Sequence, residues 1–465
     1  MKKLLALLLV GAMSLSLVAC GGDTSEPAAE QSSVAVESEA AGTDASVGTD
    51  AEANTEVAAD ITLWTYPVGN FKEAAVVDEI VAAFNAIYPN VNVSVEYLDY
   101  TSGDDQVTAA IEAGTTPDLI MEGPERLVAN WGAKGKMVDL ADLWDEEAKA
   151  DIIANSAAVE AACKSPDGAY YEYPLCMTTH TMVINKEVFE QADAMQYINE
   201  DRTWTTENFE KALKAVKESG LVQETGVVYC GGQGGDQGTR ALAMNLYEAQ
   251  FTNEDHTEYI MNSEAGVKGL QQLVDWCEEG ILSYDAGMQA ADEIPMFANG
   301  TIAMSFCWNA AQEAIQAELI AGTGFTPYPV AFPSEDGVPE LAGGIWGFGI
   351  FDNGDAAKIE AAKAFIEFVC DDPVQGPKSV AASTFFPVRA SFGNIYAGTA
   401  DEERMATYGA FAQWLGDYYN VTPGWAEQRT EWWNLLQRIF NGGDVKTEAD
   451  VYNTNCKAAT AAAAN

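Results

Sequence analysis

The chain has 465 residues, 48% of them hydrophobic and 10% aromatic, which is ample for a sizeable core. Its 71 Asp and Glu against 24 Lys and Arg give a formal net charge of −47; nucleic acid is excluded as a partner, because phosphates are met by Lys and Arg, and anionic lipid or phosphorylated ligands are disfavoured for the same reason. Two histidines, and eight cysteines with no C-x-x-C pair, leave little material for Ser-His-Asp or Cys-His catalysis or for structural zinc, so no cofactor is expected.

In chain order, Lys2 and Lys3 precede an apolar run from Leu4 to Val18 that ends at Ala19-Cys20. The run is too short to span a bilayer, which takes about twenty apolar residues, and has the order of a secretory signal. Leu17-Val18-Ala19-Cys20 resembles a bacterial lipobox, which implies that residues 1–19 are removed and that Cys20 carries lipid; a plain signal peptide cut near Ala19 is the alternative. From Gly21 to Ala59 there is no aromatic residue and no Lys or Arg. Such a stretch buries too little apolar surface to offset its ordering entropy, so residues 20–59 are expected to form a disordered acidic tether with a coil span of about 35 Å.

The body opens with "ITLWTY", a β-like run, followed by a helix with apolar Val76, Val77, Ile80, Val81, Phe84 and Ile87 at three-and-four spacing. Asn70 and Glu73 have the spacing of a capping box at its start. "VNVSVEY" then alternates as a strand, a helix spans roughly Asp104 to Ala113, "PDLIM" is a strand broken by Gly123-Pro124, and a helix starts at Glu125. Later, "GVVYC" precedes the glycine-rich loop 231–238, and "TIAMSF" precedes the helix Ala310 to Ile320. Alternating strands and helices predict an α/β protein with largely parallel sheets. Two such groups, separated by "YYEYPLCMTTHTMVINKEVF", predict two lobes.

Open α/β sheets bind ligands beyond the carboxyl ends of their strands. Those junctions hold Trp64, Thr65, Tyr66 and Asn70; Glu122, Glu125 and Arg126; Gln233 and Asp236; and Trp308 with Asn309. Aromatics, carboxylates and amides together suit a neutral polyhydroxy ligand, whose C–H faces stack on rings while planar polar groups bond the hydroxyls. "GGQGGDQG" has neither the G-K-[ST] of a P-loop nor G-x-G-x-x-G spacing. Trp204 in "RTWTTENF", next to capping threonines, reads as structural. The seven cysteines beyond Cys20, in settings such as "FIEFVC" and "LVDWC", read as small buried hydrophobes.

The order of "ITLWTY", "IVAAFNAIYPNVNVSV", "AIEAGTTPDLI", "GKMVDLADLW", "YEYPLCMTTHTMVINKEVF", "TWTTENFEKALKAVK", "MFANGTIAMSFCW", "LAGGIWGFGI", "AAKAFIEFV" and "TFFPVR" resembles the extracellular solute-binding proteins of ABC transporters, in the sugar-binding branch related to maltose-binding protein. The resemblance implies a two-lobed periplasmic-binding-protein-like fold, a ligand cleft, a hinge of crossing strands, and delivery to ABC permease subunits. It places lobe I at 60–178 plus 328–385 and lobe II at 179–327 plus 386–465, with crossings near Met177 to Ile184, Pro327 to Phe332 and Phe385 to Val388. It also aligns Glu122 with a stacking tryptophan of that family, Glu125 and Arg126 with a sugar-bonding acid and arginine, and Thr178 with an acidic ligand position. These departures imply a sugar other than maltose. Trp308, Trp346 and one of Trp425, Trp432 and Trp433 match aromatic platforms, and His180 lies in the first crossing.

The resulting expectation is a non-enzymatic, monomeric carbohydrate-binding lipoprotein on the extracellular face of the membrane, or in the periplasm of a two-membrane host. Two rival readings use the same acids: a secreted glycoside hydrolase, which needs two carboxyls about 5–9.5 Å apart, and a binding protein for a cationic ligand such as a polyamine.

Overall fold

The computed structural model of the chain describes residues 53–100, 102–231, 237–417 and 421–463. Cys20 and nearly all of the expected tether lie outside the described residues. Its last few residues belong to the folded body. The Asn54 N–H donates to Ile87 O at 2.7 Å, Asn54 Oδ1 accepts from Glu56 and Val57, and Asn90 Nδ2 donates to Thr55 O. An Asx turn thus fastens the chain before the first strand, and the expected tether boundary at residue 59 is too late.

Eleven strands follow among the described residues: β1 Ala59–Thr65, β2 Val91–Tyr97, β3 Leu119–Glu122, β4 Tyr173–Thr179, β5 Thr181–Asn185, β6 Val227–Tyr229, β7 Ser283–Asp285, β8 Met304–Trp308, β9 Pro327–Val330, β10 Gly343–Ile350 and β11 Phe386–Pro387. A six-stranded sheet has the order β11-β4-β10-β3-β1-β2, a three-stranded sheet β8-β5-β9, and β6 pairs with β7. The chain is α/β as expected, but the sheets are mixed. β1 runs parallel to β2 and β3, and β6 to β7, whereas β10 is antiparallel to β3 and β4, β11 to β4, and β5 to β8 and β9. The strand that returns to the large sheet, β10, follows β9 of the other sheet with no helix between the two, and it runs antiparallel to both β3 and β4.

The helix Ala74–Ile87 buries Val77, Ile80 and Phe84, and Phe84 meets Phe365 edge-on at 5.1 Å from the helix Ala356–Cys370. Its start differs from the predicted capping box. Gly69–Lys72 form a 3-10 turn, and Glu73 is the N-cap without a side-chain cap bond. Gly69 has φ +51°, and a Cβ there would lie 1.8 Å from Ser383 O, so the chain is pressed against residue 383 before it winds. The helix expected from Glu125 is a single turn, Pro124–Arg126, that continues as a π-type turn Leu127–Gly132.

Two hydrophobic cores divide the body. One holds β1, β3, β4 and β10 residues with the helix Ala356–Cys370; the other surrounds Trp204, Trp276, Trp308 and Trp432, all fully buried. Trp204 is structural, its indole N–H donating to Ala331 O at 2.8 Å. β4 and β5 belong to different sheets with only His180 between them. β9 pairs with β5, and Val330, Ala331 and Phe332 lie in the second core, so the chain regains the large sheet only at β10. Cys163, Cys176 and Cys370 are buried in the first core and Cys230, Cys307 and Cys456 in the second, with Cys277 half-buried.

Asp118 ties the first core together. Nearly inaccessible, its carboxylate accepts from the Thr62 N–H at 2.9 Å and Thr62 Oγ1 at 3.2 Å, from Lys358 Nζ at 3.1 Å, and from Asn353. Replacing Asp118 by Ala strands these donors and is expected to cost about 2–3 kcal/mol, read as a lower midpoint in urea denaturation.

A candidate ligand site around Arg126

β1, β2 and β3 run in one direction, so their carboxyl ends open on one edge of the sheet. The residues just past those ends are Tyr66, the segment from Leu98 to Asp104 that leads into the helix Gly103–Ala113, and Gly123 to Arg126. Their side chains meet. Arg126 Nε and Nη2 donate to the two oxygens of Asp104 at 2.7 and 3.2 Å, and Nη1 donates to Glu122 Oε1 at 3.2 Å. Glu125 Oε1 lies 3.8 Å from Nη1. Tyr66 Oη donates to Asp104 at 2.6 Å, and its ring stacks on Tyr100 with centroids 5.3 Å apart.

The charge is carried deep. The Arg126 side chain is 4% exposed and that of Glu122 1%, a setting in which an ion must be paired to persist. Burial raises the Glu122 carboxyl to about 7, the Arg126 charge opposing the rise and Glu125 adding to it. Burial also pulls Asp104 upward, but the hydrogen bonds and charge of Arg126, the Tyr66 hydroxyl and the charge of Arg429 outweigh it and hold Asp104 below its ordinary value.

The second core contributes through the helix Trp425–Phe440, whose Trp432, Leu435, Leu436 and Ile439 are packed in it. Its first residue, Trp425, lies 5.3 Å beneath the Arg126 guanidinium, and Arg429 one turn on lies 4.9 Å from the same ring. Arg126 also lies 5.1 Å from the Tyr66 ring and 5.6 Å from the Tyr100 ring. One cation is therefore flanked by aromatic faces from both cores, each such contact adding about 0.5–2 kcal/mol depending on desolvation.

Of the predicted site residues, Tyr66, Glu122, Glu125, Arg126 and Trp425 come together. Trp64 is half-buried against the first core, Thr178 is buried in β4, His180 is half-buried with its N–H on Ala342 O, and Trp346 stacks on Phe385 at 4.7 Å. Asn70 is exposed on the 3-10 turn. Asn309 is the N-cap of the helix Ala310–Thr323, its side chain accepting from Gln312 N. Gln233 and Asp236 lie outside the described residues. Two tryptophans are corrections. Trp308 is fully buried, edge-on to Phe297 at 5.2 Å with its indole N–H on Tyr408 Oη at 2.7 Å; Trp432 is fully buried between Phe251 and Tyr452. Both present no face to a ligand in this structure, because β8 and the helix Trp425–Phe440 turn them into the core.

Tyr100, Asp104 and Arg429 were missed. The signal for Tyr100 and Asp104 was available: they follow "VNVSVEY", a strand whose end was not read as a junction although the others were. Arg429 stands four residues after Trp425, the spacing that places two side chains on one helix face.

Among the described residues no group of three or more His, Cys, Asp or Glu is placed to hold a metal ion, and no helix is long and apolar enough to cross a membrane. The bacterial extracellular solute-binding protein family matches residues 69–376. No curated protein matches the chain. Among solved structures, an ABC transporter solute-binding protein of Thermotoga lettingae bound to α-D-tagatose superposes with a TM-score of 0.69 at 17% identity, covering 86% of this chain and 99% of that one. The cyclic α-maltosyl-1,6-maltose binding protein of Arthrobacter globiformis gives 0.69 at 19% identity, with 87% and 99% covered. A sugar-binding protein of Xanthomonas citri gives 0.66 at 16% identity, with 87% and 98% covered. At these identities the superpositions speak for the two-lobed fold, and the family match over residues 69–376 for descent: the chain belongs to the bacterial extracellular solute-binding protein family.

Proposed function

We propose that the protein is the substrate-capturing component of an ABC importer, that it binds a sugar or oligosaccharide between its two cores without turning it over, and that it hands the ligand to membrane permease subunits. The observation that carries this reading is Arg126, anchored in the first core by Asp104 and Glu122 while its guanidinium lies over Trp425 of the helix packed in the second. A ligand touching both sides is bound fully only when they close on it, so it draws the pre-existing open and closed populations toward the closed one. The solved structures that share this fold include proteins named for, or bound to, sugars. The proposed contacts are Tyr66, Glu122, Glu125, Arg126 and Trp425, joined by Tyr100, Asp104 and Arg429. Trp346, Thr178 and His180 are kept as further candidates. Lobe I is taken as residues 60–178 with the β10 to β11 region, and lobe II as the rest.

The leader and Cys20 support a lipid anchor on the outer face of the cell membrane, with the acidic stretch as its tether and a monomeric body. A tethered capture protein gains from its raised effective concentration near a permease. Replacing Cys20 by Ser is expected to abolish palmitate labelling and to move the protein from the membrane fraction into the medium or periplasm. Persistence of both label and fractionation would remove the anchor.

Titration calorimetry with a panel of mono- and oligosaccharides, and with spermidine beside them, tests the ligand class. One or more sugars are expected to bind, spermidine is not, and no shortened product accumulates on incubation. Trp425→Ala is expected to weaken the sugar that binds about 10–100-fold through lost stacking and apolar contact; because Trp425 is buried the melting temperature is expected to fall as well, and binding is measured well below it. Spermidine binding in the absence of any sugar binding would overturn the reading.

A further inference from the structure

Glu172 stands one residue before β4, and its backbone carbonyl accepts the Trp144 indole N–H at 3.0 Å. Its side chain is completely buried, and neither carboxyl oxygen has a hydrogen-bond partner among the described residues. The charged groups that act on it are Glu125 and Glu122, both negative, from the turn after β3 and from β3 itself. Its other neighbours within electrostatic reach are the thiols of Cys163, Cys176 and Cys370, from the helix Ala157–Cys163, from β4 and from the helix Ala356–Cys370. A buried carboxylate with neither cation nor donor is strongly disfavoured, and such a group keeps its proton instead. Desolvation pushes Glu172 well above the ordinary carboxylate range, and repulsion by Glu125 and Glu122 pushes it further.

We propose that Glu172 is a buried proton switch behind the ligand site: neutral, it leaves Glu122 free to hold Arg126; ionised at alkaline pH, it adds a negative charge behind Glu122 and Glu125 and loosens both the first core and the cleft. Arg126 is engaged by Asp104 and Glu122, and the charges that act on Glu172 are those of Glu125 and Glu122, both negative. The added charge then falls on the cleft acids, and the turn that carries Glu122, Glu125 and Arg126 is the element it strains. The effect on ligand rests on the cleft reading above; the proton on Glu172 does not.

A carboxyl whose folded value lies above its unfolded one contributes stability that is complete below the unfolded value, near 4.5, and is lost as pH rises toward the folded value. Glu172→Gln mimics the neutral form and removes that loss. Wild type and variant are expected to melt together at pH 5, and the variant to melt higher by roughly 2–4 °C at pH 9. Infrared spectra at pH 7 are expected to show a protonated-carboxyl band in wild type that weakens in the variant. For whichever panel sugar binds, affinity is expected to fall several-fold more in wild type than in the variant between pH 7 and pH 9.5, the variant keeping only the change that comes from Glu122, itself raised to about 7. If the amide packs poorly, Glu172→Leu serves as the neutral replacement, and the infrared band of wild type is then compared with that of this variant. Parallel melting curves across the pH range, with a carboxyl band unchanged by either substitution, would overturn the switch; failure of every sugar to bind would overturn the ligand class and leave the melting and infrared results to decide Glu172.

Discussion

A buried arginine has to be matched by carboxylates, and much of this site is the consequence of that requirement for Arg126. Its guanidinium offers a planar fork, and the two oxygens of Asp104 fill one side of it while Glu122 takes the other. The pairing fixes the helix Gly103–Ala113 to the turn after β3, two segments that contribute nothing to one another in sequence. Beyond these bonds the guanidinium acts through its face, where Tyr66, Tyr100 and Trp425 lie. The cation thus serves as a rigid plate between aromatic rings. The hydroxyl-bonding valences remaining around it belong to acids.

Half of the residues in the strand that completes this edge are glycine. β10 carries Gly343, Gly344, Gly347 and Gly349, and a Cβ at Gly347 would lie 2.1 Å from Tyr173 O of β4. At Gly344 the space is filled by the Trp346 ring, 2.0 Å from where a Cβ would stand. Backbone approaches backbone at the glycines, and Trp346, the largest of the strand's four other residues, folds back over the gap. Trp346 is held there by Phe385, just before β11, so the two returning strands brace each other.

The α/β class, the two groups of elements and most helices were legible because hydrophobic spacing reports which face is buried. The direction of β10 was not: periodicity says that a strand has an inner face and nothing about which neighbour it pairs with. The same limit explains the tryptophans. Trp308 and Trp432 carry the local surroundings of a ligand platform, and only their partners, Tyr408 and Phe297 for one and Phe251 and Tyr452 for the other, turn them inward. Trp425 has weaker local credentials, yet it begins its helix at the edge where Arg126 lies. Ligand sites at strand ends can be anticipated from order alone, whereas the choice among aromatic residues depends on which helix face meets the core.

The cysteines add a different kind of information. Six buried thiols are shared evenly, three in each core, and burial raises those of Cys176, Cys230 and Cys456 to about 12. Reaction needs the thiolate and access to it; among the described residues half-buried Cys277 has the most access, although burial raises its thiol to about 12 as well. The rate at which each of the other six becomes modified is a clock for the opening of the core that contains it. Without any added probe, the chain reports separately on how often each of its halves comes apart.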